Sequence, residues 1–202
     1  MWRDWRETAR AAADLALLGF LVTGAALPVI TAGAAVAAGS AAVHHHLEHD
    51  TWPSLRASWV AFRGALVPGL LAVLAAGVVL LDFLALRSGA VPGGLPLTVV
   101  LIGLAVPAAG MGGLAVVTTA TRPAGTKVLG AAAVIAGAHP GTLLAVTGVV
   151  VLAVFLALLI HPVLVPVLVG YALFALHVVV RRTVPVSAIL DRDGEIEPAR
   201  IR

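Results

Sequence analysis

Hydrophobic positions along the chain come in long blocks, without the strict alternation of a strand. No charged residue occurs from Leu15 to Val43, and further apolar blocks fill residues 65–86, 95–119, 140–160 and 163–180. A helix of about 20 such residues matches the thickness of a bilayer. The first block is interrupted at Pro28-Val-Ile-Thr-Ala-Gly33, where the chain has the residues to turn. The pattern therefore predicts an all-α integral membrane protein. Its expected form is a six-helix transmembrane bundle with spans at about 11–31, 33–49, 65–86, 95–119, 140–160 and 163–180. Residues 1–182 form one transmembrane domain, and 183–202 form a polar cytoplasmic tail. The alternative is five spans, with residues 15–43 as one long helix.

The polar punctuation adds short amphipathic segments. Residues 1–10 carry Trp2 and Trp5 three apart, with Arg3, Arg6 and Arg10 around them. Residues 50–64 mix Trp52, Trp59 and Phe62 with Arg56 and Arg63, and Pro53 is placed to start a helix. Residues 124–138 form a weaker version. All three are expected as interfacial helices making a collar on the cytoplasmic side. Span two is rich in Ala and Gly, and Gly33, Ala35 and Gly39 are its helix-packing positions, against neighbours or a partner. Pro107, Gly110, Gly112 and Gly113 weaken the middle of span four, which could be a kink or a broken helix lining a cavity. Residues 68–86 and 140–158 also match at an offset of 72, from Pro68/Pro140 to Leu86/Leu158, as a faint internal repeat.

Composition sharpens the class. Hydrophobic residues make up 60% and charged residues only 11%, against about 25% charged in a soluble domain. Membrane lipid must be the solvent for much of the surface. The pI near 10.6 does not imply nucleic acid, because the basic residues flank apolar segments. Six spans put twelve of the thirteen on one side and only Arg87 on the other, while five spans give nine to four. By the positive-inside rule, six spans with both termini cytoplasmic at the plasma membrane are preferred. Arg3, Arg6 and Arg10 before an apolar run also fit a signal peptide. Apolar segments continue to residue 180, so a retained first span is expected. The chain has no Cys, which excludes disulfides and thiolate chemistry.

Pro28-Val29-Ile30-Thr31-Ala32-Gly33, the small-residue helix from Gly33 to Val43, and the segment with Trp59, Phe62 and Arg63 carry a resemblance. Together they are similar to the start of the YesL-like membrane family, a domain of unknown function. The likeness extends in outline to about residue 182. His44–His46 stand where that family usually has basic residues. The resemblance implies an accessory membrane component, encoded beside carbohydrate uptake systems of the ATP-binding cassette type. It assigns no catalytic residue.

Candidate chemistry is sparse. His45 and His49, four apart on a helix, could share a metal ion with Glu48 or Asp50; a polar helix end or a pH sensor are the other readings. Asp82 interrupts an apolar span, where an acid is a functional candidate; it could also reach water or pair with Arg87. His139, His161 and His177 are read as interfacial. No nucleophile motif or P-loop is present, so neither catalysis nor a cofactor is expected. The function expected is a non-enzymatic accessory or scaffold subunit, bound to an ABC-type permease or to further copies of itself. The alternative is a small transporter using Asp82 and a Pro107–Gly113 helix break.

Overall fold

The computed structural model describes residues 2–89, 94–121 and 128–183. Among these there is no strand. The helices are α1 (Trp2–Ala26), α2 (Ala32–His49), α3 (Leu55–Gly64), α4 (Leu66–Arg87), α5 (Gly94–Thr121), α6 (Val128–Ala138), α7 (Pro140–Leu159) and α8 (Val165–Thr183). Short 3-10 turns at Val29–Thr31 and Pro162–Leu164 precede α2 and α8. Five segments are long and apolar enough to cross a membrane: Ala9–Ala26 of α1, α4, α5, α7 and Pro162–Thr183. The chain is a multi-pass helical membrane protein on that ground. α2 is not among the five, because its last two turns carry His44, His45, His46, Glu48 and His49.

The expected boundaries need three corrections. Residues 1–10 are not a separate interfacial helix, since α1 runs unbroken from Trp2. Pro53 does not begin α3. Ser54 is the N-cap, and its hydroxyl accepts the Ala57 N–H at 3.3 Å. Span four does not break. α5 passes through Pro107 as one helix, the proline removing one helical hydrogen bond without ending the element. Arg122, Lys127 and the tail from residue 184 lie outside the described residues.

Glycine sets how closely the helices approach. Gly33 in the first turn of α2 lies backbone to backbone against Gly69 in the first turn of α4, and a Cβ on either would overlap the other chain segment. Gly19 of α1 and Gly170 of α8 do the same, against the Pro166 and Leu15 carbonyls. Small residues allow this approach where lipid supplies no hydrophobic drive between helices. The Gly33–Gly69 contact sets the start of α2 beside the start of α4. After α2 the chain returns along it as α3, whose Phe62 joins the α1–α2–α8 core of Val22, Ala35, Val43 and Leu173.

Most burial lies in the half of the bundle built from α1, α2, α8 and the second half of α5. Ala35 is buried, and Gly39 is enclosed by Val22 of α1 and Leu173 of α8. A second core joins Leu114 and Val117 of α5, Ala132 of α6, Val146 of α7, and Leu176 and Val180 of α8. Gly110 and Gly113 admit Thr147 and Val146 of α7 there. α6 is thus an apolar helix packed on its neighbours, not a polar-faced surface segment. By contrast, no residue from Leu70 to Arg87, or from Gly94 to Ala109, is buried. Most of α4 and the first half of α5 thus form an apolar arm outside the buried cores.

Candidate functional site

The most enclosed polar site lies where α2, α5 and α8 meet. Ser40 and His177 are 0% and 1% exposed. The Ser40 hydroxyl lies 2.9 Å from the Val116 carbonyl of α5, to which it donates, and 3.4 Å from His177 Nε2. His177 Nδ1 is 3.0 Å from the Leu173 carbonyl, one turn back on α8. Val116 O is not dependent on Ser40, because it also accepts from the Thr119 hydroxyl at 2.6 Å. Thr118 is buried beside them and bonds back to Leu114 O and Ala115 O at 3.0 and 2.9 Å.

Helical spacing extends the site towards the helix ends. Ser40 and His44 are four apart on α2, and His177 and Arg181 are four apart on α8, so each pair shares a face. The His44 ring lies 6.1 Å from the His177 ring, centroid to centroid. His44 Nε2 is 3.2 Å from Glu48 Oε1. Arg181 Nη1 donates to Leu47 O at 3.1 Å. That carbonyl belongs to the last turn of α2, where acceptors lack helical partners and the helix dipole favours a cation. The result is a graded polar column: enclosed Ser40 and His177, part-exposed His44, then exposed Glu48 and Arg181.

The other histidines of the cluster go elsewhere. His45 and His49 stack face to face with centroids 4.4 Å apart, and His49 Nδ1 reaches His45 O at 3.3 Å. Among the described residues, no three His, Asp or Glu converge to hold a metal ion. His46 stacks on Trp52 at 4.4 Å, nearly parallel, with its buried Nδ1 unpartnered. Trp52 Nε1 in turn donates to Asp14 Oδ2 of α1 at 3.4 Å. These contacts pin the end of α2 to the start of the α1 apolar stretch.

Asp82 is exposed on the arm. It lines a cleft of about 160 Å³ with Leu86, Leu97 and Leu101, between α4 and α5. No ion pair joins it to Arg87 among the described residues. His139 precedes α7 and His161 precedes the last 3-10 turn, both near helix ends. His177 does not share that position, so its expected interfacial place is corrected: it is a core residue. The signal available was the matching i, i+4 pairs, Ser40/His44 and His177/Arg181, on helices that also carry the close-packing glycines.

A Ser–His contact invites a catalytic reading. Ser40 is fully enclosed, however, and its hydroxyl faces a carbonyl of the protein, with no space for an acyl group beside it. A nucleophile needs a place for the reacting atom within about 3 Å, and this pair has none. No family model matches the chain, and no curated protein or solved structure matches it.

Proposed function

We propose that the chain is a non-enzymatic accessory component of a plasma-membrane assembly, and that its α4–α5 arm is the surface that meets another membrane subunit. The observation that carries this reading is Asp82 on the arm. A carboxylate at membrane depth is costly unless paired, and this one is exposed beside Leu86, Leu97 and Leu101, with no ion pair among the described residues. A basic residue on a neighbouring membrane subunit would satisfy it. The YesL-like resemblance gives that neighbour its class, a permease of an ATP-binding cassette system for carbohydrate uptake. Purification in mild detergent with mass spectrometry of the bound chains tests it. A stoichiometric permease, lost on Asp82→Asn, is expected; a lone monomer or homo-oligomer would overturn it. The transporter reading keeps Asp82 but loses its helix break, since α5 is continuous. Liposome flux abolished by Asp82→Asn would favour that reading instead.

The same proposal includes a topology. The α1–α2 hairpin enters from the cytoplasmic face and returns to it. Four crossings follow, made by α3 with α4, then α5, α7 and α8. The apex supports this: Leu27, Val29 and Ile30 are 79%, 69% and 63% exposed, an apolar tip suited to lipid and not to water. Several of its polar groups are paired internally, as lipid requires. The Leu27 N–H bonds Gly24 O, the Thr31 N–H bonds Pro28 O, and the Thr31 hydroxyl reaches Ala25 O and Pro28 O at 2.6 and 2.8 Å. Helical bonding continues from α3 into α4 through Ala65 N–H to Ala61 O and Gly69 N–H to Ala65 O. Among the described basic residues, only Arg87 then lies at the far end of a crossing, and Arg56 and Arg63 sit on α3, in the part of its crossing that starts from the cytoplasmic face. The absence of Cys makes single-cysteine labelling clean. Ile30→Cys should resist an impermeant maleimide from both faces, while Ser88→Cys reacts from outside and Ser54→Cys from inside. Outside labelling of Ile30→Cys would make α1 and α2 full crossings.

A further inference from the structure

We propose that His177 and Ser40 form a reversible proton-binding site at the α2–α5–α8 crossing, served by His44 and Glu48 from the end of α2. This goes beyond the accessory reading and does not depend on it. The case is a count of donors and acceptors. In the neutral imidazole one ring nitrogen donates and the other accepts, and in the imidazolium both donate. Nδ1, 3.0 Å from the Leu173 carbonyl, must carry a hydrogen in either state, because a carbonyl only accepts. Protonation therefore concerns Nε2 alone.

Nε2 faces the Ser40 hydroxyl at 3.4 Å, and that hydroxyl has the Val116 carbonyl at 2.9 Å on its other side. A hydroxyl is one donor and two acceptors, and its hydrogen rotates to suit. With neutral His177, the Ser40 hydrogen turns to Nε2, and Val116 O keeps its bond from Thr119. With a proton on Nε2, the imidazolium N–H donates to Ser40 Oγ, and the Ser40 hydrogen turns to Val116 O. Both charge states are fully hydrogen-bonded by one torsional move of one hydroxyl. A site built only to bury a neutral histidine has no use for the second acceptor. Burial penalises the charged form of such a ring, and a site that leaves no polar group unpaired in either state offsets part of that penalty.

The charged groups around the site are few and ordered. α2 presents His44, with its ring 6.1 Å away and its Nε2 on Glu48. α8 presents Arg181, whose guanidinium is turned to Leu47 O at the end of α2. α5 presents the Val116 carbonyl and Thr119, which bear no charge; α7 carries no charged residue, and Asp14 of α1 is held by Trp52. Glu48, exposed at the helix end, and His44, part exposed, give a proton two titratable stations between water and His177.

Side-chain NMR of ring-¹⁵N-labelled histidine in the folded protein tests this. His177 is assigned by loss of its signal in His177→Gln. Should that variant not fold, a chain with the other six histidines changed to Gln leaves His177 as the sole signal. The expected result is a reversible change of His177 from the Nδ1–H neutral form to imidazolium as the pH is lowered to 5, with the fold retained. Ser40→Ala removes the rotor and with it a charge-assisted bond to the imidazolium, which is about twice as strong as the bond lost by the neutral form. Proton affinity should then fall on the order of fivefold. A His177 signal that stays neutral to pH 5 in the folded protein would overturn the proposal. So would a titration that Ser40→Ala leaves unmoved.

Discussion

The α1–α2–α8 core carries more small and polar residues than the strongly apolar α4–α5 arm, and the two behave in opposite ways. In the core, glycines occur where another segment passes close: Gly19 against the backbone at Gly170, Gly33 against that at Gly69, and Gly39 against the side chains of Val22 and Leu173. In the arm, Gly77 and Gly103 have no atom near an added Cβ. The core encloses its polar groups in pairs and stacks. The arm leaves its one carboxylate outside. Hydrophobicity alone therefore decides that a segment enters lipid. Where the small and polar residues fall decides whether it packs on its own chain or is left for another.

Substitutions can break that contrast. The largest effect is expected at the Gly33–Gly69 contact. Gly33→Leu must push two backbones apart and should cost ~3 kcal/mol or more, seen as loss of the monodisperse folded protein in detergent. Gly39→Leu meets side chains that can shift, so a smaller loss of thermal stability is expected, in the range of about 1–3 kcal/mol. Asp82→Asn should leave thermal stability unchanged and reduce only the partner recovered on purification. At the far end, Gly77→Ala or Gly103→Ala on the arm should raise stability slightly, by up to about 1 kcal/mol, because alanine is the better helix former and nothing is displaced. If Gly77→Ala and Gly33→Leu had similar effects, the division into core and arm would fail.

Much of the fold was legible and its closure was not. Apolar blocks gave α2, α4, α5, α7 and α8 to within a few residues, because block length and lipid thickness are matched, while α1 begins nine residues earlier than its block. Two readings at α2 and α5 diverged for separate reasons. Pro107 with Gly110, Gly112 and Gly113 looked like a break, but neighbouring packing holds α5 helical, with Gly110 and Gly113 spent on close contact to α7. α2 was read as a crossing, while its first turn meets the first turn of α4 at Gly33 and Gly69, a long-range contact that no local pattern carries. The candidate site shows the same limit. His45 and His49 are at ligand spacing, yet their rings stack. His177 gave no local sign of burial, and its importance comes from a serine 137 positions away in sequence.

The most direct test of the core-and-arm account is photo-cross-linking in native membranes from a diazirine amino acid placed at Leu81, which is 65% exposed on the arm. The account predicts one discrete adduct containing a different membrane subunit, absent when the same probe replaces core Leu173. Adducts with lipid alone from Leu81, in membranes where the protein is folded, would contradict the account and leave the arm as a surface for lipid only.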